Sequence, residues 1–225
     1  MSAFSFARGT VIVGPLEVNA YALARVGPPE SAASEAAETP CVVIDPGDEP
    51  ERIARHCRQR GWRPEAVLLT HAHYDHIGGV EGLLRRYPGA ALACSAETAR
   101  RAVEPRLNLS VLLGEARRAP RATRRLADGE AFSLAGLEFR AAEIPGHDPG
   151  ELVYYLPAAG WLFSGDTLFA GGIGRSDFPG GDGAALVSAL GAYLASLPPD
   201  TRVFPGHGPE TTVAAELRNN PFLCC

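Results

Sequence analysis

Four metal-ligating side chains crowd six consecutive positions, His71-Ala72-His73-Tyr74-Asp75-His76, directly after an apolar run at residues 66–70. Burying four such groups without a counter-ion carries a heavy desolvation cost, so the segment calls for a metal. A metal in turn needs ligands held to fractions of an ångström, which rigid strand ends supply and mobile loops do not. The chain must therefore fold so that other strand ends reach the same place. Three are in evidence. His147 follows Ala142-Glu143-Ile144-Pro145-Gly146, Asp166 follows Leu162-Phe163-Ser164-Gly165, and His207 follows Val203-Phe204-Pro205-Gly206. Glycine beside each ligand lets the backbone bend sharply there.

The rest of the chain supplies the elements such a site needs. Residues 10–13 and 19–25 read as a strand pair turned by Gly14-Pro15, and residues 26–40 as a flexible hairpin loop. Strands are expected at 41–45, 66–70, 90–95, 131–134, 137–144, 152–156, 161–164 and 202–205. Helices are expected at 51–60, 77–87, 96–103, 184–197 and 212–219. The arginine-rich stretch 106–125 reads as irregular surface. Its residues Arg117, Arg118, Arg121, Arg124 and Arg125 form a solvated face or attract an acidic thiol carrier. Strands and helices mixed in one chain predict a layered α/β architecture, sheets inside and helices outside. At 225 residues, one domain spanning 1–225 is the expectation.

Composition narrows the function. The formal charge is -5, and all 21 basic residues are arginine. That balance offers no electrostatic attraction to nucleic acid or an anionic membrane. Any mechanism that needs a lysine ammonium is excluded. Met1 to Arg8 lack the basic start and long apolar run of a secretory signal, and no stretch has the length of a membrane-spanning helix. The five cysteines, at 41, 57, 94, 224 and 225, show no C-x-x-C spacing, which fits a reducing cytoplasm. Cys41 and Cys94 read as small core residues, and His56 as a surface histidine in a charged helix.

The donor set is imidazole and carboxylate, with no cysteine in the cluster, and suits zinc, iron or manganese. Two metals with one shared carboxylate and a bridging water need about seven protein ligands. His71, His73, Asp75, His76, His147, Asp166 and His207 supply that number. Asp48 is a candidate for orienting a ligand imidazole from outside.

The hexapeptide, with Gly146-His147, Gly165-Asp166 and Gly206-His207-Gly208 in this order, resembles the ligand signature of the metallo-β-lactamase superfamily. The resemblance spans nearly the whole chain. It implies a four-layer αβ/βα sandwich, two mixed β-sheets flanked by helices, with the site along one edge between the sheets. It further implies two divalent metal ions, zinc first and iron or manganese as alternatives. His71, His73 and His147 would hold one ion. Asp75, His76 and His207 would hold the other, with Asp166 bridging.

Finer features resemble the short glyoxalase II-like branch, the hydroxyacylglutathione hydrolases and their bacterial relatives. They are Asn19-Ala20-Tyr21, Asp45-Pro46-Gly47, Gly165-Asp166-Thr167-Leu168-Phe169, Gly172-Ile173-Gly174-Arg175-Ser176-Asp177 and the Asn220-Pro221-Phe222-Leu223 ending. This resemblance implies a cytoplasmic thioesterase acting on a small acyl thioester such as S-lactoylglutathione through a metal-bridging hydroxide, with Asp75 as the catalytic group. Full-length glyoxalase II carries a C-terminal helical domain and a lysine for glutathione. This sequence has no counterpart of either, which puts glutathione recognition in question. Arg175 either binds an anionic part of the substrate or pins its own loop through Asp177. The alternative is a mononuclear iron persulfide dioxygenase, in which His71, His147 and Asp166 would form the iron triad. Lactonase, β-lactamase and a non-catalytic metal-binding module are further readings.

Overall fold

The computed structural model describes residues 4–27 and 38–224. Most of the loop expected at 26–40, and Cys225, lie outside the described residues. The first sheet opens with an antiparallel hairpin, β1 (Ser5–Val13) and β2 (Val18–Val26), closed at Val13 opposite Val18. Antiparallel to β2 runs β3 (Thr39–Ile44). Helix α1 (Pro50–Gln59) then crosses to β4 (Trp62–Leu68), parallel to β3. The short helix α2 (Tyr74–Ile77) and α3 (Val80–Arg86) lead to β5 (Ala91–Ser95), and α4 (Ala96–Ala102) precedes the edge strand β6 (Arg124–Leu126). The order is β1-β2-β3-β4-β5-β6.

A meander builds the second sheet: β7 (Ala131–Leu134), β8 (Leu137–Glu143), β9 (Leu152–Leu156) and β10 (Trp161–Gly165). A small separate hairpin follows, β11 (Leu168–Phe169) with β12 (Gly172–Ile173). Helix α5 (Gly183–Ala195) returns the chain to β13 (Arg202–Pro205), parallel to β10. The edge strand β14 (Thr211–Thr212) and α6 (Val213–Asn219) close the sheet, ordered β14-β13-β10-β9-β8-β7.

Strand alternation explains why these elements stack in four layers. Along β9, Leu152, Tyr154 and Leu156 face the apolar layer between the two sheets, while Val153 and Tyr155 face α5. Along β3, Val42 and Ile44 enter that same central layer, and Cys41 and Val43 meet the outer layer under α1 and α3. Strands covered on both faces read as unbroken apolar runs, as 41–44 and 152–156 do. In α5, Leu186, Leu190 and Leu194 recur every fourth residue and are fully buried. Each contributes about 1.5–3 kcal/mol of burial. The architecture is the expected α/β sandwich, two mixed sheets flanked by helices.

Several boundaries differ from the sequence reading, each for a physical reason. The helix expected at 77–87 starts late, at Val80, and Ile77 instead ends the separate short helix α2, the two parted by Gly78-Gly79. A Cβ at Gly78 would sit 2.9 Å from the Gly47 carbonyl oxygen, and one at Gly79 would sit 2.9 Å from that of Pro46. The break lets the 46–47 loop pack against the helix start, and the Gly47 amide donates to the His76 carbonyl at 3.0 Å. Strand β4 begins four residues early despite Pro64, whose missing donor falls at an irregularity in the pairing with β3. It also ends early, because the Thr70 amide donates to a side chain, Asp45 Oδ1 at 2.8 Å. Arg124 and Arg125 of the expected irregular stretch join Leu126 in a charged edge strand. His56 is not a free surface side chain: it is half-buried, and its ring covers Gly9 of β1, where a Cβ would strike it. Cys41 and Cys94 are buried as expected, and so is Cys57.

Candidate metal centre

The C-terminal ends of β4, β8, β10 and β13 open onto one edge of the sandwich, and each carries its ligand candidate there. His71 and His73 lie in the loop after β4, and Asp75 and His76 in the first turn of α2. His147 follows β8, Asp166 follows β10 and His207 follows β13. The structure brings all seven together. One ring nitrogen from each of His71, His73 and His147 lies within 4.8 Å of the others, and the same holds for ligand atoms of Asp75, His76 and His207. Asp166 stands between the two groups. Its Oδ1 is 3.4 Å from His76 Nε2, and its Oδ2 is 3.7 Å from His147 Nε2 and 3.5 Å from His207 Nε2.

The ring orientations fit metal ions better than an internal hydrogen-bond network. His73 Nδ1 and His147 Nε2 face each other at 2.9 Å, where only one of them can carry a proton. His71 Nε2, His76 Nε2 and Asp166 Oδ1 are buried with no hydrogen-bond partner. Unpaired buried nitrogen and oxygen atoms converging on one point are what a bound cation satisfies.

Three of the five outward ring nitrogens are hydrogen-bonded from behind, and those of His73 and His76 face carboxylates without a hydrogen bond. His147 Nδ1 donates to the Arg175 carbonyl and His207 Nδ1 to the Leu16 carbonyl, both at 2.8 Å. His76 Nδ1 lies 3.1 Å from Asp45 Oδ2. His71 Nδ1 is 3.0 Å from the Thr70 hydroxyl and 3.5 Å from Glu151 Oε1. His73 Nε2 is 3.9 Å from Asp148 Oδ1, a carboxylate held by the buried Arg101 at 2.7 Å. Asp45, Asp148, Glu151 and Arg101 are not among the site residues expected from sequence. The first three stand at strand ends or beside a ligand, which was the available signal. Asp48, favoured from sequence for this role, instead pairs with Arg117 Nη1 at 2.9 Å.

Electrostatics among the protein groups follow from this crowding. Burial, reinforced by the neighbouring imidazoles, drives His71 far below the usual histidine range. Burial and then His147 bring His73 down to about 3. Neutral imidazole is the ligating form. Burial opposes a charge on His76 as well, but Asp166, Asp75 and Asp45 together outweigh it and push its pKa well up. Burial pushes Glu151 well up too, with the Asp166 charge adding to it. Its Oε1 accepts the Asp166 amide at 2.8 Å.

Two motifs singled out from sequence buttress the ligand loops. Asn19 Nδ2 donates to the Pro205 and Gly208 carbonyls at 3.1 and 2.8 Å, and the Tyr21 hydroxyl donates to the Pro205 carbonyl at 2.7 Å. Both clamp the His207 loop. Asn220 Nδ2 donates to the Gly172 carbonyl at 3.0 Å and fixes the β11–β12 hairpin at the cavity wall. Arg175 also lines the cavity, yet its guanidinium makes a bidentate pair with Asp177 at 2.7 and 2.6 Å and lies over the Phe178 ring. The cavity above the ligands encloses about 570 Å³.

The sequence between residues 33 and 207 matches the model of the metallo-beta-lactamase superfamily. The chain belongs to that superfamily. It is 34% identical to the probable metallo-hydrolase YqgX of Bacillus subtilis, over 94% of either chain. It is 34% identical to the hydroxyacylglutathione hydrolase GloC of Haemophilus influenzae, over 83% of this chain and 88% of that one. With the longer hydroxyacylglutathione hydrolase of Citrobacter koseri it shares 32% identity, over 74% of its own length and 57% of that enzyme's.

Solved structures agree. The BLEG-1 B3 metallo-beta-lactamase superposes with a TM-score of 0.88 at 32% identity, over 97% of this chain and all of that one. TTHA1623 in a di-iron-bound form gives 0.79 at 38%, over 96% and 100%. ETHE1 from Myxococcus xanthus gives 0.75 at 25%, over 96% and 83%.

Proposed function

We propose that the chain is a binuclear metal-dependent hydrolase of acyl thioesters, of the hydroxyacylglutathione hydrolase type. The observation that carries this reading is the pair of three-residue ligand groups joined by Asp166 at the floor of one open cavity. His71, His73 and His147 would hold one divalent ion, and Asp75, His76 and His207 the other. Zinc is the first candidate, with iron or manganese as alternatives. The di-iron form of TTHA1623 supports iron. Two such ions would acidify a water shared between them and polarise the substrate carbonyl.

The protein groups do the rest. Asp75 is partly exposed to the cavity, with Oδ2 3.3 Å from His207 Nε2, and can orient an attacking water and accept its proton. His207 and Asp166 fix Asp75 and its neighbours relative to the carbonyl, and the 570 Å³ cavity holds the acyl and thiol arms. Identity to two hydroxyacylglutathione hydrolases supports the thioester as substrate class. The same reading makes the chain a single-domain cytoplasmic enzyme acting on a small molecule. The free, buried cysteines support that compartment. Among the described residues, no helix is long and apolar enough to cross a membrane.

A second reading, the mononuclear iron persulfide dioxygenase, has the likeness to ETHE1 in its favour. The complete Asp75-His76-His207 group favours the hydrolase. The deciding experiment loads the purified chain with zinc, iron or manganese and measures metal content, thiol release from S-lactoylglutathione and oxygen uptake with glutathione persulfide. Two metals per chain with thiol release are expected. One iron per chain with oxygen uptake and no thiol release overturns the hydrolase.

A further inference from the structure

Beyond its ligands, the cavity wall is apolar. Leu16, Leu109, Leu112, Phe169, Ile173 and Phe178 line it, and among the described residues Tyr74 and Arg175 are the other polar members. The Arg175 guanidinium is neutralised by Asp177 at 2.7 and 2.6 Å and stacked on Phe178. Arg117 is tied to Asp48 and Glu115 at 2.9 and 3.2 Å. A tripeptide thiol with two carboxylates and an ammonium finds little here to pair with, whereas an alkyl or aryl chain finds a continuous surface.

The wall is built rather than incidental. Leu109 sits at φ +66, a left-handed conformation that costs a leucine strain, yet it is buried and faces the cavity. The neighbouring Asn108 overrides that cost. Its Nδ2 donates to the Ala102 and Arg117 carbonyls at 3.2 and 2.9 Å, its Oδ1 accepts the Ser110 amide at 3.0 Å, and its carbonyl accepts the Tyr74 amide at 2.9 Å. The turn that follows, Ser110–Leu113, holds Leu112 at the cavity mouth 68% exposed, with Val111, Leu113 and Leu16 also exposed. Apolar side chains left uncovered at the rim of a site mark a surface that an apolar ligand covers.

We infer that the substrate is a thioester with an extended apolar acyl chain, laid along Leu109, Leu112 and Leu16, and that these leucines set acyl-chain specificity. The inference rests on the thioester reading above. Its step is ordinary hydrolysis: water adds to the carbonyl, the carbon–sulfur bond breaks, and the acid and thiol leave.

The test uses the metal-loaded chain in two arms. The first measures kcat/KM for N-acetylcysteamine thioesters from acetyl to octanoyl, beside S-lactoylglutathione. A rise of roughly threefold or more per methylene is expected, from the free energy of burying one CH₂, with octanoyl above lactoylglutathione. The second measures binding, by calorimetry, of the non-hydrolysable thioethers S-octyl- and S-ethyl-N-acetylcysteamine. The octyl compound should bind at least tenfold tighter, and Leu112→Ser and Leu16→Ser should each shrink that ratio severalfold. Both leucines are largely exposed, so neither change threatens the fold. Equal binding of the two thioethers, or a ratio untouched by both variants, overturns the inference. Tighter octyl binding without turnover of any thioester overturns the proposed reaction and leaves the apolar wall standing.

Discussion

Asp45 Oδ2 lies 3.1 Å from His76 Nδ1, and the same oxygen accepts the Thr70 hydroxyl at 2.6 Å. The carboxylate is buried at the end of β3, on a residue with φ +45. It stands against the side of His76 turned away from the cluster, and the Thr70 it holds touches His71. One carboxylate thus reaches behind both ligand groups. Asp45→Asn removes the charge and sets an amide NH₂ against a ring that needs an acceptor. The affinity of the Asp75-His76-His207 position should fall about 10–100-fold. That of the His71-His73-His147 position should change less. Metal titration against a competing chelator checks this, and two unchanged affinities would refute it.

Arg101 and Asp148 form a pair with side chains 5% and 0% exposed. Asp148 also accepts the Ala72 amide at 3.3 Å, inside the hexapeptide. Removing one partner strands a buried charge, so Arg101→Met should destabilise the chain by about 3–5 kcal/mol. Arg101→Met combined with Asp148→Asn should recover part of that loss. Urea unfolding at fixed metal concentration measures both, and a loss under 1 kcal/mol for the single variant would sink the account.

Metal binding should be steeply pH-dependent. Asp166, Asp75 and Asp45 hold a proton on His76 against the pull of burial, so its pKa stands above the usual histidine range. A metal must displace that proton. The apparent affinity should therefore tighten about tenfold per pH unit for each proton released, until pH passes that raised pKa. Conversely, chelation should lower the melting temperature, and free metal at 100 times its Kd should restore about 2.7 kcal/mol. Competition titrations at pH 6, 7 and 8 give the slope; a flat profile would count against His76 as a ligand.

Much of this molecule was legible beforehand because the ligands sit at the ends of strongly apolar strands. The runs 66–70, 161–165 and 203–205 announce buried strands, and His71, Asp166 and His207 each follow one within two residues. What stayed hidden depends on contacts distant in sequence. Nothing near Asp45 says that its oxygen meets His76, and Asp48 three residues on is equally acidic yet turns to Arg117. The two-residue strands β11, β12 and β14 are too short to show a period, and their pairing is fixed by Asn220 and the sheet edge. The helix break at Gly78-Gly79 comes from the 46–47 loop, which local propensity cannot see. The charge of Arg175 draws attention to its side chain, whereas its clearest contact with the site is its carbonyl on His147.

Two glycines offer a controlled comparison of close approach with plain helix propensity. A Cβ at Gly206 would collide with Asp166 Oδ1 and sit 2.7 Å from His76 Cε1, so the backbone there touches the shared carboxylate and a ligand of the Asp75-His76-His207 group. Relief requires moving Asp166, His76 or the loop that carries His207, and a shift of a few tenths of an ångström spoils metal geometry. Gly191 lies within α5 with open space around its would-be Cβ. Gly191→Ala should therefore stabilise the chain by about 0.5–1 kcal/mol through helix propensity, with metal content unchanged. Gly206→Ala should lose at least one metal equivalent and most activity while keeping its far-ultraviolet circular dichroism. Metal analysis and thermal unfolding of the two variants side by side separate the effects. Full metal loading in Gly206→Ala would mean that the ligand set tolerates movement, and the rigid-centre account would fall with it.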